Sequence, residues 1–208
     1  MTHAPQTASR REAVRDFKRQ RILEGAKRVF QDKGLDGAAM RAIAAEAGYT
    51  AGALYSYYPT KEDIYAAILA DSLAALAHAI RDAVAGDAAG RARTAAQAFY
   101  DYYRAHPLEL DLSFYLYRGI GPRGLTPAVD RQLNGRLIAA LKPIADAFAA
   151  LGGLDPAQAG TETVAAACHM SGVLLLERSG RLKVLDQSGP ALVARHLDEL
   201  TARLTRRP

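Results

Sequence analysis

The stretch Met40–Lys61, MRAIAAEAGYTAGALYSYYPTK, constrains this chain more than any other, because it reads as two short helices joined by a tight turn. Met40, Ile43, Ala44 and Ala47 recur at helical spacing, and Gly48 follows where a left-handed residue ends a helix without steric cost. Thr50 is placed to cap a second helix from about Ala51, with Tyr49 and Leu54 as a hydrophobic staple across the cap. That helix must stop by Tyr58, since Pro59 disfavours α geometry at the residue before it. The result is a helix-turn-helix, whose second helix offers its first turn to base edges in the major groove. Thr60–Asp63 resembles a capping box for the next helix, which sets Lys61 in a first turn where a nearby phosphate would offset the unfavourable macrodipole.

The charge is distributed to match. Residues 1–61 hold 11 Lys and Arg against 6 Asp and Glu, whereas residues 62–208 hold 16 of each, so the whole formal charge of +5 lies on the segment with the motif. Such an excess supplies the sequence-independent, salt-sensitive part of DNA affinity. Arg10, Arg11, Arg15, Lys18, Arg19 and Arg21 crowd the start of a helix expected from a Ser9 cap to about Asp32, the wrong end for cations unless an anion is bound. They predict an arm that follows phosphates or enters a minor groove. Further on, Ile22, Leu23, Ala26, Val29 and Phe30 make an apolar stripe that belongs to a core, and Gly34 ends the helix. Residues 1–9 are expected to form a disordered tail.

Several classes of protein are disfavoured. Half the 208 residues are hydrophobic, enough for a sizeable core, yet no run of 18 apolar residues exists to span a bilayer and no signal peptide is evident, so a cytoplasmic protein without membrane contact is expected. The single Cys168 excludes an intrachain disulfide framework. His78, His106, His169 and His196 include no pair at the i, i+3 or i+4 spacing of a helical metal site, and no Gly-rich phosphate loop follows a strand. No catalytic residue, metal or cofactor is therefore assigned. An all-α enzyme or small-molecule carrier is one alternative, and a membrane-surface protein using its basic N-terminal helix is another. The latter leaves the capped turn at Gly48–Thr50 unexplained.

Beyond Lys61 the pattern is helical throughout, with no period-2 strand. Helices are expected over 61–85, about 91–106, 108–118, 127–151, 156–179 and 190–205. Thr126-Pro127 and Asp155-Pro156 each supply a cap followed by Pro at N1. The fold class is thus all-α, with about nine helices.

The residues of the first 65 positions carry a family resemblance. Arg21-Ile-Leu-Glu-Gly-Ala-Lys-Arg-Val-Phe30, Gly34, Ile43-Ala-Ala-Glu-Ala-Gly48, Thr50-Ala-Gly-Ala-Leu-Tyr55-Ser-Tyr-Tyr58 and Lys61-Glu62 together resemble the DNA-binding domain of TetR-family repressors. The resemblance implies a three-helix DNA-binding head over 10–60 and a helical ligand-binding and dimerisation body over 61–208. It implies a homodimer on a double-stranded operator, regulated by a small-molecule effector that alters the separation of its heads. Carried over by position, Thr50, Tyr55, Lys61 and Arg41 would hold phosphate, and Gly52 would let the backbone approach the groove. Ala51, Ser56 and Tyr57 complete the expected DNA-binding set. Small side chains at base edges favour readout through thymine methyls, backbone and DNA shape over Arg–guanine pairs. Tyr58 is expected in the core, against Ile43 and Phe30. One departure is Ala38-Ala39, where the family usually places a capping Thr or Ser; Tyr49 also replaces a smaller aliphatic residue.

An effector cavity is expected to draw on Phe99, Tyr103 and His106 from one helical face, Phe114, Tyr117 and Arg118 from the next helix, and Cys168 and His169, giving an apolar site with a few polar anchors. A medium-sized apolar or aromatic molecule fits that composition. Two further faces suit dimer contacts, Ala165, Cys168, Gly172, Leu175 and Leu176 on one helix, and Leu192, Val193, Leu197, Leu200 and Leu204 on the last.

Overall fold

The computed structural model describes the backbone over residues 4–115 and 125–206, and the side chains over 10–114 and 125–206. Among these residues the chain is all-α, as its periodicity predicts. Ten helices follow in order: α1 (Ala4–Gly37), α2 (Met40–Ala47), α3 (Ala51–Tyr57), α4 (Lys61–Ala83), α5 (Ala88–Ala105), α6 (Pro107–Tyr115), α7 (Pro127–Gly152), α8 (Pro156–Arg178), α9 (Arg181–Val184) and α10 (Gly189–Thr205). The helix beyond the expected nine is α9, a single turn too short to register as periodicity. α1 begins at Ala4, before the Ser9 cap read from the sequence, so part of the expected tail is helical. Arg10 and Arg11 therefore lie more than a turn inside the helix, where the macrodipole has little hold on them. Gly34 breaks α1 with φ 71°.

The chain forms two compact units, one of residues 1–69 and 108–130, the other of residues 70–107 and 131–208. In the first, Ile22, Ala26 and Phe30 of α1 are buried with Ile43 and Ala47 of α2, Leu54 of α3, and Tyr65 of α4. α1 and α2 cross closely at Gly25, where a β-carbon would stand 3.0 Å from the Ala47 backbone. Phe30 and Tyr65 meet edge to face with centroids 4.9 Å apart. Glu109 of α6, itself buried, accepts from the Lys27 ammonium at 2.8 Å.

In the second unit α5, α8 and α10 pack on one another. Val193, Leu197, Leu200 and Leu204 are buried within that unit and Leu192 is half-buried, which corrects the assignment of the first four to a dimer face: they close the core of their own chain. The α8 face behaves differently, since Ala165, Cys168, Gly172, Leu175 and Leu176 are all exposed. Tyr102 is buried, donating to the Ser72 carbonyl at 3.0 Å. Asp155 caps α8 through a reciprocal box with Gln158, with Pro156 at the first helical position. α4 and α8 are long and apolar enough to cross a bilayer by length and composition, although half of the α4 window is buried in the protein.

Candidate nucleic-acid interface

The turn between α2 and α3 is built from backbone. Gly48 takes φ 78° and ψ 31°, its N–H donates to the Ala45 carbonyl at 3.1 Å, and the Tyr49 N–H reaches back to Ala44 at 2.8 Å. This pair of bonds is a Schellman closure, and it requires the left-handed residue that glycine supplies. Thr50 then leaves in extended geometry, and its Oγ1 accepts from the Ala53 N–H at 3.2 Å, so α3 starts where its cap demands. Tyr58, extended and only 3 % exposed, ends it before Pro59.

One side of α3 is anchored and the other is open. Leu54 is completely buried, whereas Thr50, Gly52, Tyr55 and Ser56 are exposed, Tyr55 by 49 %. No atom lies within 4 Å of where a Gly52 β-carbon would be. Ser56 donates to the Ala53 carbonyl at 2.7 Å, leaving its oxygen as an acceptor toward anything on the open side. Ala51 and Tyr57 are half-buried and Arg41 on α2 is exposed. This is a short helix whose open side carries small side chains, a bare backbone and one exposed tyrosine, a form that admits a groove edge closely.

Lys61 is placed less freely than the sequence suggests. Its ammonium donates to the Leu35 carbonyl at 3.1 Å, an oxygen that also accepts from the Tyr65 hydroxyl. It sits 5.5 Å from the Tyr65 ring centroid as well. Two of its three protons remain for an anion, and the tether fixes where they point. Thr60 and Asp63 cap α4 reciprocally: the Thr60 N–H donates to the Asp63 carboxylate at 2.9 Å and the Asp63 N–H to Thr60 Oγ1 at 3.1 Å. At the start of α2 the Ala39 cap offers no side-chain bond, as its methyl dictates. Arg19 lies over the Tyr58 ring at 5.1 Å, and the Arg21 guanidinium comes within 3.9 Å of a β-carbon position at Gly48, so basic side chains of α1 surround the turn.

The candidate effector residues divide between the units. Phe99 and Tyr103 are buried in the second unit and meet edge to face at 5.0 Å. His106 stacks on Tyr102 at 4.3 Å. Cys168 is exposed, and His169 stacks on His196 of α10 at 4.0 Å. Phe114 is 42 % exposed and belongs to the first unit, while Tyr117 and Arg118 lie outside the described residues.

Residues 22–68 match the family model described as bacterial regulatory proteins, tetR family. Over these residues the chain is similar to the DNA-binding head of that family. A 90-residue segment is 34 % identical to the HTH-type transcriptional activator FasR of Mycolicibacterium smegmatis, covering 42 % of this chain and 41 % of that one. A 66-residue segment is 32 % identical to the HTH-type transcriptional repressor AcnR of Corynebacterium diphtheriae, covering 32 % and 35 %. The chain thus spans well under half the length of these relatives. The fold extends further than the sequence likeness. The protein SCO4313 aligns over 91 % of this chain and 97 % of its own with a TM-score of 0.73 at 23 % identity. FadR of Bacillus subtilis, solved in complex with stearoyl-CoA, aligns over 88 % and 97 % with a TM-score of 0.66 at 15 % identity.

Proposed function

We propose that this protein is a transcriptional regulator that binds a double-stranded DNA operator through residues 10–60, acting as a repressor released by a small-molecule effector held within residues 61–208. The observation that carries the reading is the open side of α3, capped by Thr50 and presenting Gly52, Tyr55 and Ser56 on the segment that holds the chain's net basic charge. Thr50, Tyr55, Arg41 and Lys61 hold phosphates, while Ala51, Gly52, Ser56 and Tyr57 lie against the groove. The protein works in the cytoplasm and carries out no catalysis. It is a homodimer, formed over the exposed α8 strip that includes Cys168, Leu175 and Leu176.

For the effector, the buried Phe99–Tyr103 pair and the acyl ligand of the FadR protein support an apolar or acyl compound. Thermal-shift screening of aromatic and acyl compounds reads this directly, since any ligand of the folded state raises its apparent stability. DNA binding is tested by competing a duplex from beside the protein's own reading frame against a scrambled duplex at about 150 mM salt. The expected preference is about a thousandfold or more. Equal affinity would remove the specific-regulator reading.

A further inference from the structure

Arg10, Arg11, Val14, Arg15 and Lys18 of α1 line, with Tyr57, a single open cavity of about 440 Å³. At 3.6 residues per turn these five α1 positions fall within an arc of about 140°, while Glu12 and Asp16 fall on the opposite side. None of the four cations forms an ion pair or hydrogen bond with a described residue. Farther along the same helix the pattern reverses, for Lys27 pairs with Glu109 and Arg28 with Glu46. Arg11 and Arg15 stand at i, i+4, a like-charge spacing that destabilises a free helix and is relieved by a polyanion. Tyr57 is the last residue of α3, so this basic groove continues from the end of the recognition helix. The four cations also precede residues 22–68, the part that matches the family model.

We infer that this face of α1 is a second DNA contact, a clamp on duplex phosphates next to the bases met by α3, independent of their sequence. The inference rests on α3 being the recognition helix. A membrane surface fits the groove less well. Val14 and Phe17, 46 % and 63 % exposed, are the only large apolar side chains exposed on α1 among the described residues, too few to seat a helix in a bilayer. The groove wall contributed by Tyr57 belongs to the helix that reads DNA.

The test is the salt dependence of binding, by fluorescence anisotropy, of the full chain to a mixed-sequence duplex and to any duplex it prefers. Each phosphate neutralised contributes about 0.9 to the slope of log K against log salt. The combined variant Arg10→Gln, Arg11→Gln, Arg15→Gln, Lys18→Gln should flatten that slope by about 3 to 4 per chain, equally on both duplexes, with an unchanged melting temperature. The same positions changed to Lys should keep the wild-type slope. A control variant, Lys142→Gln with Arg195→Gln, removes cations that pair with Asp146 and Glu199 and should leave the slope unaltered. An unchanged slope in the fourfold Gln variant, with wild type still binding duplex, would overturn the clamp and spare the recognition helix. Equal flattening in the control would overturn it too, by showing a general charge effect. Wild type that sediments with phosphatidylserine vesicles but binds no duplex would overturn both readings.

Discussion

The amino-terminal face of α1 and the helical body use the same residue types in opposite ways. In the body several arginines are matched to carboxylates, Arg93 to Asp198 at 2.7 Å, Arg104 to Glu177 at 3.2 Å and Arg203 to Glu162 at 2.6 Å. On α1, Arg10, Arg11, Arg15 and Lys18 have no such partner among the described residues. Paired surface charges contribute little to stability and largely cancel in the far field. Unpaired ones leave a potential that a polyanion can meet. The contrast teaches that the position of the net charge, and not its size, marks the candidate binding face.

The largest expected effect separates the two sides of α3. Leu54→Ala removes a fully buried side chain and should cost about 3 kcal/mol, seen as a lower denaturation midpoint together with lost DNA binding. Tyr55→Ala, one residue on, should weaken operator binding about tenfold, or about 1.4 kcal/mol, with the melting temperature nearly unchanged. A large loss of stability would instead make Tyr55 part of the core. Next comes Arg203→Gln in the body, which should cost no more than about 1 kcal/mol in melts and leave the salt slope of DNA binding untouched. If it flattened that slope, the contrast between body and arm would fail.

The smallest effect concerns pH. His169 and His196 stack in the body with both Nε2 atoms buried and without hydrogen-bond partners, while Glu199, Glu162 and Arg203 act on His196 from nearby. Burial, and then the neighbouring His169, hold His196 below its ordinary value of 6.5. The unfolded chain therefore takes up this proton first as pH falls, so the stability is fully present above pH 6.5 and declines as pH drops toward the folded value. Urea melts across this range should show the decline in wild type and a flatter profile in His196→Gln.

What was legible in the sequence is what local chemistry decides. Gly48, the Thr50 cap, the Thr60–Asp63 box and the Asp155 cap each depend on neighbours within a few residues, and the structure places them as read. Partners distant in sequence were not legible. Nothing near Lys61 indicates that its ammonium meets the Leu35 carbonyl, 26 positions away. An apolar stripe likewise does not state what covers it: the α10 stripe closes its own core, while the α8 stripe stays exposed. The start of α1 at Ala4 was missed because Ser9 is a good cap, and the polar residues before it carry no periodicity.

Selection of duplexes from a random-sequence pool by the full chain, followed by hydroxyl-radical footprinting of the enriched sequence, tests most directly whether the α3 face reads DNA. Enrichment of a two-fold symmetric sequence, protected in two patches on one face of the duplex, is the expected result. A pool that stays random after selection, with binding uniform across sequences, would contradict it.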